Sequence, residues 1–271
     1  MKIRTTIFLT AISAALAGNP VMAATLFSTG FDGPALDTNL TSTYTSAGTT
    51  LTVAGTAAFT GGATGDHRSY VGTVGTNYAT STNNWTATIE VQTAGLSGAQ
   101  LYFGLGTGTT PGLGDPAYAT PQGATAGEAA AFIYMYAPGE ARSLTTIRKQ
   151  SNQGYWSGEV GISDATFDSI VGTSGGVAAN AFYRYTMAFD ATANNLTFDV
   201  DQISGFGGTV TSSGAANAAV MSLAGMGFDS TNSKIMFGGN NSTFDNLSVI
   251  PEPSTALLGG LGFLALLRRR R

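Results

Sequence analysis

The sequence contains no cysteine, a single histidine (His67) and few charged residues, 10% of 271, where an ordinary soluble domain carries about 25%. The missing cysteine excludes disulfides, thiolate zinc sites, iron–sulfur clusters and a cysteine nucleophile. One histidine leaves no room for a multi-histidine metal centre. Basic residues are scarce too: 12 Lys and Arg stand against 16 Asp and Glu, and no basic stripe crosses the chain. That argues against a nucleic-acid partner, because neutralising phosphates takes clustered cations. Low charge does not imply disorder here, since 43% of residues are hydrophobic and 10% aromatic, enough to build a core. Glycine is plentiful at 37 residues, and threonine, about one residue in seven, suits the solvent face of a strand without adding charge.

The two ends differ from the middle. Residues 1–23 have the layout of a secretory signal peptide: Lys2 and Arg4, the apolar run Ile7 to Leu16, the breaker Gly18-Asn19-Pro20, and a small residue, Ala23, at the cleavage position. Residues 251–271 open with Pro251, Glu252 and Pro253, continue through an apolar stretch from Ala256 to Leu267, and close on Arg268, Arg269, Arg270 and Arg271. The arginine cluster acts as a cytoplasmic stop, which leaves the rest of the chain on the far side of the membrane. As a helix the apolar stretch would span roughly 18 Å of a hydrocarbon core near 30 Å, so it reads as a transient anchor.

Pro-Glu-Pro, apolar segment and terminal arginines, in that order, resemble the PEP-CTERM sorting signal of bacterial surface proteins. The resemblance implies an exosortase-type membrane enzyme as partner, which cuts near Pro251-Glu252-Pro253 and delivers the chain to the cell surface or extracellular matrix. The membrane is then touched only through the C-terminal tail.

Residues 24–250 read as one all-β domain. Strand-like runs recur between Gly, Asn, Thr and Pro: Trp85 to Val91, Gln100 to Leu105, Ala130 to Tyr136, Ser143 to Arg148, Phe182 to Phe189, Leu196 to Val200 and Lys234 to Phe237. A hairpin is clearest, with Tyr183, Tyr185, Met187 and Phe189 alternating inward before a turn, and Leu196, Phe198 and Val200 after it. Setting Phe189 opposite Leu196 puts Arg184 against Asp201 as a surface ion pair worth under about 1 kcal/mol. One short helix is expected over Ala215 to Met226, with Ala216, Ala219, Val220 and Leu223 on one face. No internal repeat is evident.

A first strand at Thr25-Leu26-Phe27 leading to Gly30-Phe31-Asp32, and a last strand at Thr243 to Val249, resemble the concanavalin A-like lectin/glucanase (laminin-G type) jelly roll. The resemblance implies a β-sandwich whose terminal strands pair.

Chemistry-bearing motifs are sparse. Gly104-Leu105-Gly106-Thr107-Gly108 precedes a turn, not a helix, and so lacks the dipole a phosphate loop needs. The Glu-x-Asp-x-x-Glu run of the jelly-roll glucanases is absent, and no Gly-x-Ser-x-Gly elbow accompanies His67. An enzymatic role is therefore not expected. Trp156 and Tyr155, flanked by Gly154 and Gly158, are the candidate glycan platform. Asp32 and Asp245 are candidate calcium ligands, since the jelly-roll reading sets them on neighbouring strands. Three roles stay open: a structural or adhesive matrix protein, a module binding exopolysaccharide, and a diverged polysaccharide hydrolase or lyase.

Overall fold

The computed structural model describes residues 27–45, 49–61, 69–75, 77–93, 97–107, 130–138, 144–150, 156–162, 178, 180–213, 219–226, 228 and 233–251. Among them are sixteen strands. They are β1 (Phe27–Thr29), β2 (Leu40–Thr45), β3 (Thr49–Val53), β4 (Ala57–Gly61), β5 (Ser69–Thr73), β6 (Trp85–Thr93), β7 (Ser97–Gly106) and β8 (Ala130–Pro138). Then follow β9 (Leu144–Gln150), β10 (Trp156–Ile162), β11 (Phe182–Asp190), β12 (Asn195–Ile203), β13 (Val210–Ser213), β14 (Ala219–Ser222), β15 (Lys234–Asn240) and β16 (Ser242–Pro251).

All pairings are antiparallel and form two sheets. The first has the order β13-β12-β11-β6-β16-β4-β3, with β1 added to β16 and β14 to β12; the second runs β10-β9-β8-β7-β15-β5-β2. The chain crosses repeatedly from one sheet to the other, which makes the body a jelly-roll β-sandwich.

Period-two alternation fixes the inward faces. Along β6, Trp85, Ala87, Ile89 and Val91 are buried against the second sheet. Tyr183, Tyr185, Met187 and Phe189 of β11 and Leu196, Phe198 and Val200 of β12 join them. Phe59, Phe237 and Phe244 meet edge-on or tilted at 5.2–6.1 Å between ring centres, a favoured arrangement of ring quadrupoles.

The hairpin register is as expected, with Phe189 opposite Leu196 and Arg184 opposite Asp201. The terminal strands also pair, Phe27 opposite Val249. The helix expected over 215–226 is not formed where the chain is described: 219–222 is β14, and Leu223 to Met226 make a turn. Val220 is 53% exposed while Met221 is 3% exposed and Leu223 is buried. That is a strand's alternation, and hydrogen bonding to the open side of β12 outweighs any local helical preference. The signal peptide, the residues beyond Pro251, Tyr155 and His67 lie outside the described residues.

Candidate functional site

The end of the first sheet at which β1 begins and β16 finishes sets the first described strand beside the last. Phe27 lies opposite Val249 on adjacent strands, roughly 5 Å apart. On its other side β16 stays paired with β6 through Pro251, which lies opposite Trp85. Pro251, the first residue of the Pro-Glu-Pro motif, is thus a sheet residue. A proline offers no N–H, which suits it to the last place in a ladder.

This end is firmly tied. Trp85 stacks on Phe189 at 5.5 Å and donates its indole N–H to the Tyr78 carbonyl at 3.0 Å. The Ser233 hydroxyl accepts from the Ala79 N–H and donates to the Asn77 side-chain carbonyl. The Asn84 side chain accepts from the Ala191 N–H in the turn between β11 and β12.

A second constellation lies on the outer face of the same sheet. Glu90 of β6 is only 3% exposed although it points away from the core. Its Oε1 accepts from Arg184 Nε at 3.1 Å and a terminal nitrogen at 2.7 Å; its Oε2 accepts from the Gly207 N–H at 2.6 Å and Asn246 Nδ2 at 2.8 Å. Burial pushes the Glu90 carboxyl up, but the hydrogen bonds from Asn246, Gly207 and Arg184, with the guanidinium charge, outweigh it and hold it below its ordinary value. The bonds pin the loop between β12 and β13 over the sheet, where Phe206 packs edge-on against Phe182 at 5.1 Å.

Arg184 therefore pairs with Glu90 on β6, not with Asp201 on β12, although both lie opposite it. The expected surface pair is replaced by a half-buried one, because Glu90 is the carboxylate the loop covers.

Asp32 and Asp245 are near enough for the Asp32 charge to act on Asp245. Burial chiefly raises the Asp245 carboxyl, with added repulsion from Glu90 and Asp32 and opposition from the Asn246 N–H. No group of three or more His, Cys, Asp or Glu suited to holding a metal occurs among the described residues.

A cross-strand register row crosses the second sheet, and the two of its tyrosines whose burial is described, Tyr70 and Tyr102, are 2% and 1% exposed. Tyr44, Tyr70, Gly238, Tyr102 and Tyr134 are register partners in succession on β2, β5, β15, β7 and β8. Because Gly238 has no side chain, the rings of Tyr70 and Tyr102 meet above it, 5.4 Å apart and edge-on. Gly238 also has φ +151°, and a Cβ there would run into the Ser69 carbonyl oxygen. Trp156 opens the edge strand β10 opposite Gln150, two strands beyond Tyr134 and four residues along β9 from Thr146, which continues that row.

Reading the sequence alone missed both the Glu90 constellation and the tyrosine row. A lone acid within an otherwise alternating strand, and an Asp-Asn step such as Asp245-Asn246, were the available signals for the former. Asn246 takes φ +50° at a bulge, a conformation asparagine tolerates better than most residues.

Taken together, these features define an all-β body whose first and last described strands lie side by side, with the last one ending at Pro251. Residues 249–271 match the PEP-CTERM protein-sorting motif, so the chain carries this signal at its C-terminus, the mark of an exosortase-sorted, extracytoplasmic protein. No curated protein matches the sequence. Among solved structures, lectin II from Ulex europaeus is similar over 85% of this chain and 100% of its own, at 11% identity and a TM-score of 0.48. Peanut lectin is similar over 85% and 99%, at 9% identity and 0.49. An endo-1,3-beta-glucanase from Streptomyces sioyaensis is similar over 85% and 97%, at 12% and 0.45. Likeness at this level concerns the layout of strands and says nothing of what is bound.

Proposed function

We propose that this protein is a structural or adhesive component of the cell surface or extracellular matrix, delivered there by exosortase sorting, and that it is not an enzyme. The observation carrying the reading is the sorting motif, which follows directly on the last strand of a jelly-roll body. The best-buried carboxylate among the described residues supports a structural role. Glu90 has both oxygens filled by four donors and is held ionised, which suits an anchor and not a general acid. The test is intact-mass spectrometry of the exported protein. Mature chains lacking Arg268 to Arg271 are expected, and an intact C-terminus would refute sorting by this route.

A second reading is a module that binds exopolysaccharide, with Trp156, at the start of the edge strand β10, as its aromatic platform. Sugars stack on exposed aromatic faces, the role this reading gives to Trp156. A glycan array with the mature protein, with and without calcium, tests it. Saturable binding that disappears in Trp156→Ala would support this reading, and binding that needs calcium would bring in Asp32 and Asp245. Absence of binding to any polysaccharide would leave the structural role.

A further inference from the structure

The outer face of the first sheet carries a continuous row of neutral side chains. Ile250 of β16 lies opposite Thr86 of β6, Thr86 opposite Ala188 of β11, Ala188 opposite Thr197 of β12, and Thr197 opposite Val220 of β14. Their chain neighbours Val249, Ala87, Met187, Phe198 and Met221 are buried in the core, so by alternation all five point outward. Val220 and Ile250 are 53% and 50% exposed, the highest values among the large hydrophobic side chains described. They close the two ends of the row, about 19 Å apart across five strands. The adjoining row towards the middle of the sheet is hydroxylic as well: Ser248, Thr88 and Thr186, ending on Asp199.

Elsewhere the body repels a copy of itself. Residues 24–250 hold 15 acids and six bases, a net charge of −9, and like charges brought together oppose association. Within one register position of the row, the charged side chains among the described residues are Asp190 and Asp199. Glu90 and Arg184, one row further on, are already paired with each other.

We propose that this face is where two copies of the protein meet, sheet against sheet, about a two-fold axis that runs along the row. Aligned sheets pack face to face about 10 Å apart, and either in-plane two-fold through Ala188 sets aliphatic on aliphatic. An axis parallel to the strands fails twice. It drives the loop between β12 and β13, which stands on this face over Glu90 and Phe182, into the same loop of the partner, and it sets Asp190 against the partner's Asp190. The axis along the row avoids both. Ile250, Ala188 and Val220 meet their own copies, Asp190 faces the partner's Thr186, Asp199 faces the partner's Asn195, and each loop hangs past the turn that follows the partner's Asp190. Three register rows across five strands cover roughly 500 Å² per copy, about 1,000 Å² in all, the size of a weak and reversible pair. Such a contact suits a matrix component held at high local density, but it goes beyond the sorting reading and does not depend on it.

Sedimentation equilibrium of the protein as exported provides the test. A monomer–dimer equilibrium is expected below about 1 mM, tightening as salt rises because screening relieves the repulsion between acidic bodies. Val220→Lys and Val220→Glu, at an exposed position outside the core, should each weaken association about tenfold or more, and a one-to-one mixture of the two should recover dimers. In this cysteine-free chain, Ala188→Cys should cross-link to its own copy through a short thiol-reactive bridge, which places the contact in mid-sheet and not at the β14 edge. A protein that stays monomeric, dimers that salt dissociates, dimers untouched by the Val220 changes, or absence of the Ala188→Cys cross-link would overturn the interface. Recovery of Val220→Lys by Ile250→Glu, and not by Val220→Glu, would overturn the axis. Any of these failures leaves the sorting signal and its mass-spectrometric test untouched.

Discussion

Glu90→Gln should be the most damaging isosteric change on the surface of the first sheet. The carboxylate accepts two bonds on each oxygen. A carboxamide of the same shape must turn its NH2 either towards the Arg184 guanidinium or towards the Gly207 N–H and the Asn246 amide. Either orientation sets donor against donor and leaves Arg184 without its counter-charge. Removing one member of a buried pair costs about 3–5 kcal/mol. The Arg184 side chain is 30% exposed, so water recovers part of its solvation, and the lower figure, about 3 kcal/mol, applies. For a domain of this size each kcal/mol moves Tm by roughly 2–4 °C, giving a fall of about 6–12 °C. Thermal and urea unfolding measure the loss, and hydrogen exchange shows where it lies: the Gly207 amide should open well before the core of β6. A cycle with Arg184→Met should return a coupling above about 1.5 kcal/mol. A cost below about 1 kcal/mol with unchanged exchange at Gly207 would refute the argument, and the four bonds would then be worth no more than an exposed ion pair.

Three further outcomes follow from single positions. Gly238→Ala adds a Cβ onto the Ser69 carbonyl oxygen and 2.9 Å from Tyr70 Cα, at φ +151°; a loss above about 3 kcal/mol, or no soluble protein, is expected in expression and unfolding assays. Tyr185→Phe removes a buried hydroxyl that finds no hydrogen-bond partner among the described residues, so urea unfolding should show equal stability or a gain of up to about 1 kcal/mol. Asp245 and Glu90 should shape the pH profile with opposite signs. The Asp245 carboxyl is raised, so its ionisation opposes folding at neutral pH, and stability recovers as pH falls through its range. Glu90 is lowered, so its contribution is present above its ordinary value and is lost as pH falls below it. Asp245→Asn, which keeps an acceptor for the Asn246 N–H, should exceed the natural protein in Tm at pH 7 and lose that advantage on acidification.

What was legible in the sequence was local. The β11–β12 hairpin declares itself because its alternation and turn lie within one stretch, and its register follows from matching the two inward faces. The terminal strands could be set side by side only through family resemblance, since nothing between Phe27 and Val249 states that they meet. Arg184 shows the limit. Its hairpin neighbour Asp201 is visible 17 residues on, whereas Glu90, the actual partner, lies 94 residues away. The bonds from Gly207 and Asn246 to Glu90 span 117 and 156 residues. The tyrosine row is equally non-local, one residue from each of β2, β5, β7 and β8, with β5 and β7 separated by β15 from far along the chain. β14 was misread for a different reason: Ala, Val and Leu at helical spacing are compatible with either period, and the unpaired flank of β12 decides between them.

A β-sandwich with so few charges has to protect its edges by some other means, since charged side chains are the usual guard against edge-to-edge pairing. The open edges of the first sheet are short. β3 has five residues, and the flank of β12 is divided between β13 and β14, four residues each. Among the described residues the first sheet presents no long edge as a template. The edge strands of the second sheet are both irregular instead: the pairing of β2 shifts between Ser42 and Tyr44, and that of β10 between Trp156 and Glu159. A bulge twists an edge and breaks the regular spacing of its free N–H and C=O groups. Threonine can therefore take the place of lysine and glutamate on the strands because geometry, not charge, keeps the edges from pairing.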